Sequence, residues 1–426
     1  MSNFPYDVAL FDLDGTLFDA ADGIINSALY TMEVMQLPVP ENANLFAMIG
    51  PPIRFSMAHI FNVPTEKVEE AVRIYRKRFA EVGMYEYKVF PHVRAMLYAL
   101  KKAGIFVALA TAKPTASAKE ILAYYHLSSF FDCIQGVAES KATLDKAEII
   151  RHALPTTYRK ACMVGDRLYD MQGAKGAHVD AIGVDYEKNN AEELWSSGAD
   201  YVFNSVTELL HFLCPQPTTP KGCFISVEGP DGSGKTTQVA ALMKRLIQYG
   251  YDVYQTREPG GCKVSEEIRS ILLNTNNAEM CDECEALLYA AARAQHTQQV
   301  IKPALTAGKL VLCDRYVDSS IAYQGGARSL GLDEVASINH FGIGDCMPKH
   351  TVYLDIHHKT ALQRRLNTSA PDRLEQQDIS FHAKVEEAYK QLIEKNHSRF
   401  LIVNASLPAE EVADEVWTKV LSVLEE

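Results

Sequence analysis

Two stretches of this chain carry side chains whose types and spacing could do chemistry together. In "VALFDLDGTLFD", Asp12 and Asp14 stand just beyond a buried, strand-like run and are followed by Gly15 and Thr16. Residues two apart in extended backbone share a face, so both carboxylates can address one space. Ligands of parallel sheets sit at the carboxyl ends of strands, which is where these acids fall. Further along, "ALATAKP" offers the Thr111 hydroxyl at a second strand end, and "LDKAEII" offers Lys146 at a helix start. A third strand ends in "MVGDRLYD", with Asp166 and Asp170 four residues apart. The other stretch is "FISVEGPDGSGKTTQ", where Gly229 to Thr236 fit G-x-x-x-x-G-K-S/T after a strand and before a helix. Glycines there let backbone N–H groups converge on phosphate oxygens at the helix N-terminus. Lys235 then reaches the outer phosphates of a nucleoside triphosphate, and Thr236 helps hold magnesium. Gly229, Asp231, Gly232, Ser233, Gly234, Lys235, Thr236 and Thr237 are the expected ATP cradle.

Both sets need parallel strands to position them. "DVALF", "FVALA", "ACMVG" and "AIGV" in the first half, and "CFISVEG", "DVYQT", "LVLCD" and "TVYLD" in the second, alternate with helical periodicity. That is the pattern of an α/β fold, here two three-layer parallel-sheet domains, without an internal repeat. Between Phe18 and about Tyr87 strands give way to helix, with Val68, Val72, Tyr75 and Phe79 on one face. We expect an inserted helical cap over the carboxyl edge of the first sheet. After the glycine-rich loop, Val239, Leu242 or Met243, and Leu246 form the buried stripe of a helix. The expected division is a first domain over 1–214, a proline-rich linker over 215–221 and a second domain over 222–426.

Composition narrows the partners. The 426 residues are 47% hydrophobic and 23% charged, with a net charge of -12, which argues against a general nucleic-acid binder. No apolar run is long enough to span a bilayer, and the start shows no signal peptide. Nine cysteines lack a paired framework; Cys281 and Cys284 form one CxxC with no second pair for zinc. Reduced structural thiols and a cytoplasmic location are the expectation.

The ordered set acid pair, hydroxyl, lysine, acid pair resembles the haloacid dehalogenase-like hydrolases, over residues 4–214. The resemblance implies a Rossmann-like core with a helical cap. It also implies that Asp12, Asp14 (through its carbonyl) and Asp166 ligate Mg2+, with Asp170 supporting the metal shell. Asp12 would be the nucleophile that becomes an aspartyl-phosphate, and Asp14 the acid and then base. Thr111 and Lys146 would hold the phosphoryl oxygens. A second acid favours a phosphatase or phosphomutase over a dehalogenase. "IGPPIR" and "ATAKP" are closest to the phosphoglycolate phosphatase and 5′-nucleotidase branch. Arg54 and Lys113 are further candidates, for the leaving group and the phosphate, or else a surface arginine and a structural lysine.

From about Gly222 onward, "TREPGG", "YAAARAQ" and "DRYVDSSIAYQGG" resemble thymidylate kinase, of P-loop nucleoside monophosphate kinase fold. The resemblance implies that Arg257, Arg293 and Arg315 surround dTMP, with Tyr289 stacking on thymine. Tyr316 and Gln324 would define sugar and base, Asp231 would lie near the acceptor sugar, and Asp314 near magnesium. The P-loop lacks an arginine, so the transferring phosphoryl would be met from the lid, "LQRRLNTSAPDRLE". There Asn367, Thr368 and Ser369 stand where arginines are usual, leaving Arg373 or Arg365 as the catalytic cation. A homodimer through the kinase fold is also implied. The whole reads as a bifunctional enzyme using ATP and Mg2+ on dTMP and hydrolysing a phosphate monoester. The alternatives are a nucleotide-sensing first half, a phosphoglycolate phosphatase or a phosphomutase.

Overall fold

The computed structural model of the protein describes residues 4–49, 53–137, 145–186, 190–215, 221–366, 373–374 and 377–424. Residues 216–220 of the expected linker, Pro217 and Pro220 among them, Gly50, Pro51 and Pro52 of the cap loop, and Asn367, Thr368 and Ser369 lie outside the described residues. The chain divides into two compact units, one formed by the residues up to 220 and the other by almost all of those from 221 onward.

In the first unit, β1 (Val8–Phe11) is buried at every position. The short strands β2 (Phe18–Asp19) and β3 (Lys88–Val89) pair antiparallel and close the base of a helical insertion. Its longest helices are Ala21–Val34 and Val68–Glu81. Helix Val68–Glu81 buries Val72 and Tyr75 as its periodicity predicts, adds Ala71, and leaves Val68 and Phe79 half-buried. The sheet continues with β4 (Phe106–Pro114), β5 (Cys133–Val137), β6 (Ala161–Gly165), β7 (Asp180–Val184) and β8 (Tyr201–Phe203). Its order is β5-β4-β1-β6-β7-β8, parallel throughout. Strands covered by helices on both faces read as unbroken apolar runs, which is why β1, β4, β6 and β7 are visible in the sequence.

The second unit holds β9 (Cys223–Glu228), β10 (Val253–Arg257), β11 (Leu310–Asp314), β12 (His350–Asp355) and β13 (Phe400–Asn404). They form a parallel sheet in the order β10-β11-β9-β12-β13. Helix Lys235–Gln248 follows the glycine-rich loop and buries Val239, Leu242 and Leu246; Met243 is half-exposed. Cys281 and Cys284 are exposed rather than packed, and all nine cysteines are free. No helix among the described residues is long and apolar enough to cross a membrane.

Candidate active sites

In the first unit, β1 lies between β4 and β6, and Phe11 pairs in register with Leu109 and with Val164. Asp12, Thr111 and Asp166 therefore leave the sheet along one carboxyl edge. The Asp12 N–H extends the ladder to the carbonyl of Val164 at 2.9 Å. Carboxylate oxygens of Asp12, Asp166 and Asp170 lie within 4.8 Å of one another, and all three residues are buried. Asp170 comes from the first turn of helix Leu168–Gly176. Room for it is made by Gly165, where a Cβ would stand 2.2 Å from the Asp170 Cγ.

Lys146 opens helix Lys146–Ala153, which is capped by the Asp145 side chain accepting from the Ala147 N–H. The Lys146 ammonium sits 2.7 Å from Asp12 Oδ1 and 2.6 Å from Asp170 Oδ1. Burial pushes its pKa down, but Asp12 and Asp170 outweigh that and hold the ammonium firmly protonated. Asp170 is pushed up to about 7, first by burial and then by Asp12 and Asp166, with Lys146 opposing. Asp14 Oδ2 meets Lys113 at 2.9 Å, while its Oδ1 is buried without a hydrogen-bond partner. Lys113 also donates to the Tyr87 hydroxyl at 3.1 Å, and Thr111 is buried beside it, accepting from the Lys113 N–H at 3.3 Å. Arg54 is a surface arginine: its side chain is 61% exposed and pairs with Glu69.

The second unit places the glycine-rich loop between β9 and helix Lys235–Gln248, on a cavity of about 800 Å³. Gly232 has a φ of +85°, and a Cβ there would stand 2.0 Å from the Ala361 carbonyl oxygen, so the loop tolerates only glycine at this point. Asp231, Gly232, Ser233, Gly234, Lys235, Thr236 and Thr237 line the cavity. Gly229 does not; its carbonyl accepts from Lys235 at 3.1 Å and from Arg315 at 3.2 Å. Burial, with Arg315 adding to it, pushes the Lys235 pKa down to about 8. Thr236 donates to Asp314 Oδ2 at 3.2 Å.

Arg257, Tyr289, Arg293, Arg315, Gln324, Arg364 and Arg365 line the same cavity. Arg315, at a φ of +66°, pairs with Asp231. Burial raises the Asp231 pKa, but Arg315 and Lys235 outweigh it and hold the carboxyl near 2. Arg293 is deeply buried: it donates to Glu258 at 2.6 Å, to Ser320 at 2.9 Å and to the Tyr316 carbonyl at 3.1 Å. Arg257 is half-exposed and pairs with Glu266 at 3.0 Å. Gln324 donates to Glu285 at 2.9 Å, and its Oε1 is buried without a hydrogen-bond partner.

Two expected site residues are placed otherwise. Tyr316 does not line the cavity; its ring is fully buried against Phe224, and its hydroxyl bonds Thr297 and the Cys346 carbonyl. Its place at the cavity is taken by Tyr323, whose hydroxyl donates to Asp231 at 2.8 Å. Arg373 is likewise not a free lid cation. It is buried, donating to the Leu272 carbonyl at 3.0 Å and pairing with the buried Glu285. Of the two candidate finger arginines, only Arg365 reaches the cavity. Sequence reasoning also passed over Glu258, Arg269 and Tyr323. Glu258 and Tyr323 lie inside the segments "TREPGG" and "AYQGG", where a charged or phenolic group beside the named residues was the available signal.

Comparison with known proteins divides the chain in the same way. Residues 227–416 match the family model described as thymidylate kinase, and residues 9–184 the model described as haloacid dehalogenase-like hydrolase. A thymidylate kinase of Geobacillus sp. (strain WCH70) is 50% identical over 194 residues, which cover 45% of this chain and 92% of the relative. That of Bacillus cereus (strain Q1) is 48% identical over 198 residues, covering 46% and 95%. Among solved structures, one titled a predicted phosphatase from Clostridium acetobutylicum shows 38% identity and a TM-score of 0.44, covering 48% of this chain and 96% of its own. A haloacid dehalogenase-like hydrolase from Streptococcus pneumoniae shows 28% identity and a TM-score of 0.45, covering 48% and 98%. The chain belongs to the thymidylate kinase family through its C-terminal part, to which a haloacid dehalogenase-like hydrolase domain is joined at the N-terminal side.

Proposed function

We propose that the C-terminal unit transfers the terminal phosphoryl group of ATP to dTMP, giving ADP and dTDP. The observation that carries this is the cavity: seven Lys or Arg side chains line it against three Asp or Glu, with the P-loop along one wall. Lys235 and the loop N–H groups bind the triphosphate, and Arg257 and Arg315 bind the acceptor phosphate. Tyr289 offers a face for a base, and Gln324 has an unpaired acceptor, Oε1, for a base N–H. Arg365 meets the charge of the transferring group. Thr236 and Asp314 offer oxygen donors suited to Mg2+. Steady-state rates with dTMP, dUMP and dCMP as acceptors test the assignment; equal use of all three would overturn it.

For the N-terminal unit we infer hydrolysis of a phosphate monoester. Three buried carboxylates at one point fit a hard divalent cation, and Asp12, Asp166 and Asp170 with the Asp14 carbonyl would hold Mg2+. When bound, it offsets the charge of the acids and of the incoming phosphate. A carboxylate oxygen of Asp12 attacks phosphorus, the ester P–O bond breaks, and Asp14 gives its proton to the departing alkoxide. Asp14 then takes a proton from water as that water attacks the aspartyl-phosphate, releasing phosphate and restoring Asp12. Thr111 and Lys146 bind the phosphoryl oxygens. Hydrolysis of dTMP would deprive the kinase reaction of its acceptor and oppose it, so we assign as substrate a competing or modified nucleoside monophosphate, such as dUMP. The full chain, with Asp12→Asn as control, should release phosphate from such a nucleotide. Turnover confined to phosphoglycolate, isomerisation of a sugar phosphate, or no turnover would each refute that assignment.

A homodimer through the kinase unit belongs to the same reading, and sedimentation of the full chain checks it. So does a reducing, cytoplasmic setting, which fits nine free cysteines.

A further inference from the structure

We propose that His357, His358 and Glu386 form a site for a transition-metal cation of the zinc class, apart from both active sites. One nitrogen of each imidazole and one carboxylate oxygen lie within 4.8 Å of one another. Apart from Asp12, Asp166 and Asp170, this is the only such group among the described residues. Beyond the end of β12, the His357 carbonyl accepts the N–H groups of Thr360 and Ala361, which starts helix His358–Leu366. The two imidazoles lie face to face, with ring centroids 4.3 Å apart and a tilt of 30°. Glu386 reaches them from helix Ile379–Lys395. Its Oε2 accepts the His358 backbone N–H at 3.0 Å and lies 2.7 Å from His358 Nδ1. Lys390 binds the other oxygen, Oε1, at 2.8 Å, which fixes Oε2 toward the rings.

Capping of the helix accounts for Glu386 and the His358 backbone. The 2.7 Å hydrogen bond accounts for the His358 ring, and His357 Nδ1 accepts the Lys359 N–H at 3.4 Å, but neither accounts for a second imidazole brought within 4.8 Å of the same carboxylate oxygen. Two nitrogens and one oxygen suit Zn2+, Ni2+ or Cu2+, whereas Mg2+ prefers oxygen donors. Three ligands leave a fourth position for water, and exposed His357 gives an entry path. An ion held there joins the first turn of helix His358–Leu366 to helix Ile379–Lys395. The first of these helices carries Arg364 and Arg365 to the kinase cavity.

The test is Zn2+ titration of the metal-stripped full chain against a chromophoric chelator. Excess Mg2+ supplies the carboxylate sites, and a Cys281→Ser/Cys284→Ser background removes the exposed thiols. The parent should bind one more equivalent of Zn2+ than the His357→Ala/His358→Ala variant. Co2+ substituted for Zn2+ should show the visible bands of a four-coordinate site in the parent alone. Each single His→Ala change should weaken binding by about tenfold or more. Equal stoichiometry and affinity in the parent and a folded double variant would overturn the proposal. Should the double variant fail to fold, His357→Ala, at an exposed position, decides the matter by the same affinity measurement.

Discussion

Glu228, the last residue of β9, stands immediately before the P-loop and is completely buried. Its Oε1 accepts the Tyr316 N–H at 2.7 Å, and its Oε2 accepts the hydroxyls of Ser319 at 2.6 Å and Tyr389 at 2.9 Å. Burial is the largest influence on it, with Asp318 adding repulsion, and together they push its pKa from 4.5 up to about 7. A carboxyl raised in the folded state contributes stability that is complete below about pH 4.5 and is lost as pH rises through 7. At about 1.4 kcal/mol per pKa unit, the full effect is about 3 kcal/mol, of which about 2 to 3 falls between pH 5 and pH 8. Glu228→Gln keeps the acceptor for the Tyr316 N–H and gives Ser319 and Tyr389 a donor, while removing the charge. The variant should therefore gain about 2 to 3 kcal/mol on the wild type between pH 5 and pH 8, because other carboxylates cancel in the difference. Urea unfolding of the full chain measures this in the transition that ATP shifts, since ligand binding marks the kinase unit. Parallel pH profiles for the two proteins would refute the reasoning.

Asp14→Asn should lower phosphate release by about 10² to 10⁴-fold, while Asp12→Asn abolishes it, and neither should change the dTMP kinase rate; paired assays on the full chain check both. Arg365→Ala should lower the kinase kcat by about 10³-fold with little change in thermal stability. Arg373→Ala should do the reverse, costing about 1.5 to 3 kcal/mol as Glu285 loses one charged partner while Arg328 still pairs with it at 3.1 Å, which denaturant unfolding measures. Tyr323→Phe removes the bond to Asp231 and should raise the KM for dTMP, whereas Tyr316→Phe, which removes a hydroxyl bonded to Thr297 and the Cys346 carbonyl behind the cavity wall, should leave it unchanged; initial-rate kinetics separate the two.

The motifs were legible because each is local. The spacing of Asp12 and Asp14, and the glycines ahead of Lys235, fix backbone geometry within a few residues of the chemistry. The strands missed in the sequence were the two-residue β2 and β3 and, in the two large sheets, β5, β8 and β13, each a sheet edge; of the four edges only β10 was read. An edge strand needs no continuous apolar run: β8 is three residues with none buried, and β13 buries only Phe400 and Val403 of its five. Arg373 was misread for a different reason. Its partner, Glu285, lies 88 residues away, and nothing near "APDRLE" announces a buried carboxylate waiting for it. Tyr316 and Tyr323 are seven residues apart in one segment, and their long-range partners separate them: Tyr316 packs against Phe224 and bonds the Cys346 carbonyl, while Tyr323 bonds Asp231 at the cavity. Motif spacing does not encode those partners.

The two sites meet the same anionic group with opposite charge. Around Asp12, three buried carboxylates are offset by the ammonium of Lys146, so a phosphate ester is repelled until a divalent cation joins them. That repulsion has a use in the proposed reaction, since a carboxylate rich in electron density is the nucleophile. Around Lys235 the balance is reversed, and the carboxylates there are spent on holding cations. Asp231 positions Arg315, and Glu258 positions Arg293. Transfer between two bound phosphates needs no protein nucleophile, only alignment and charge compensation. A site with excess carboxylate can therefore take up a phosphoryl group covalently, and a site with excess guanidinium can only pass one along. That difference, written in the side chains at two sheet edges, is what separates removal from addition within this single chain.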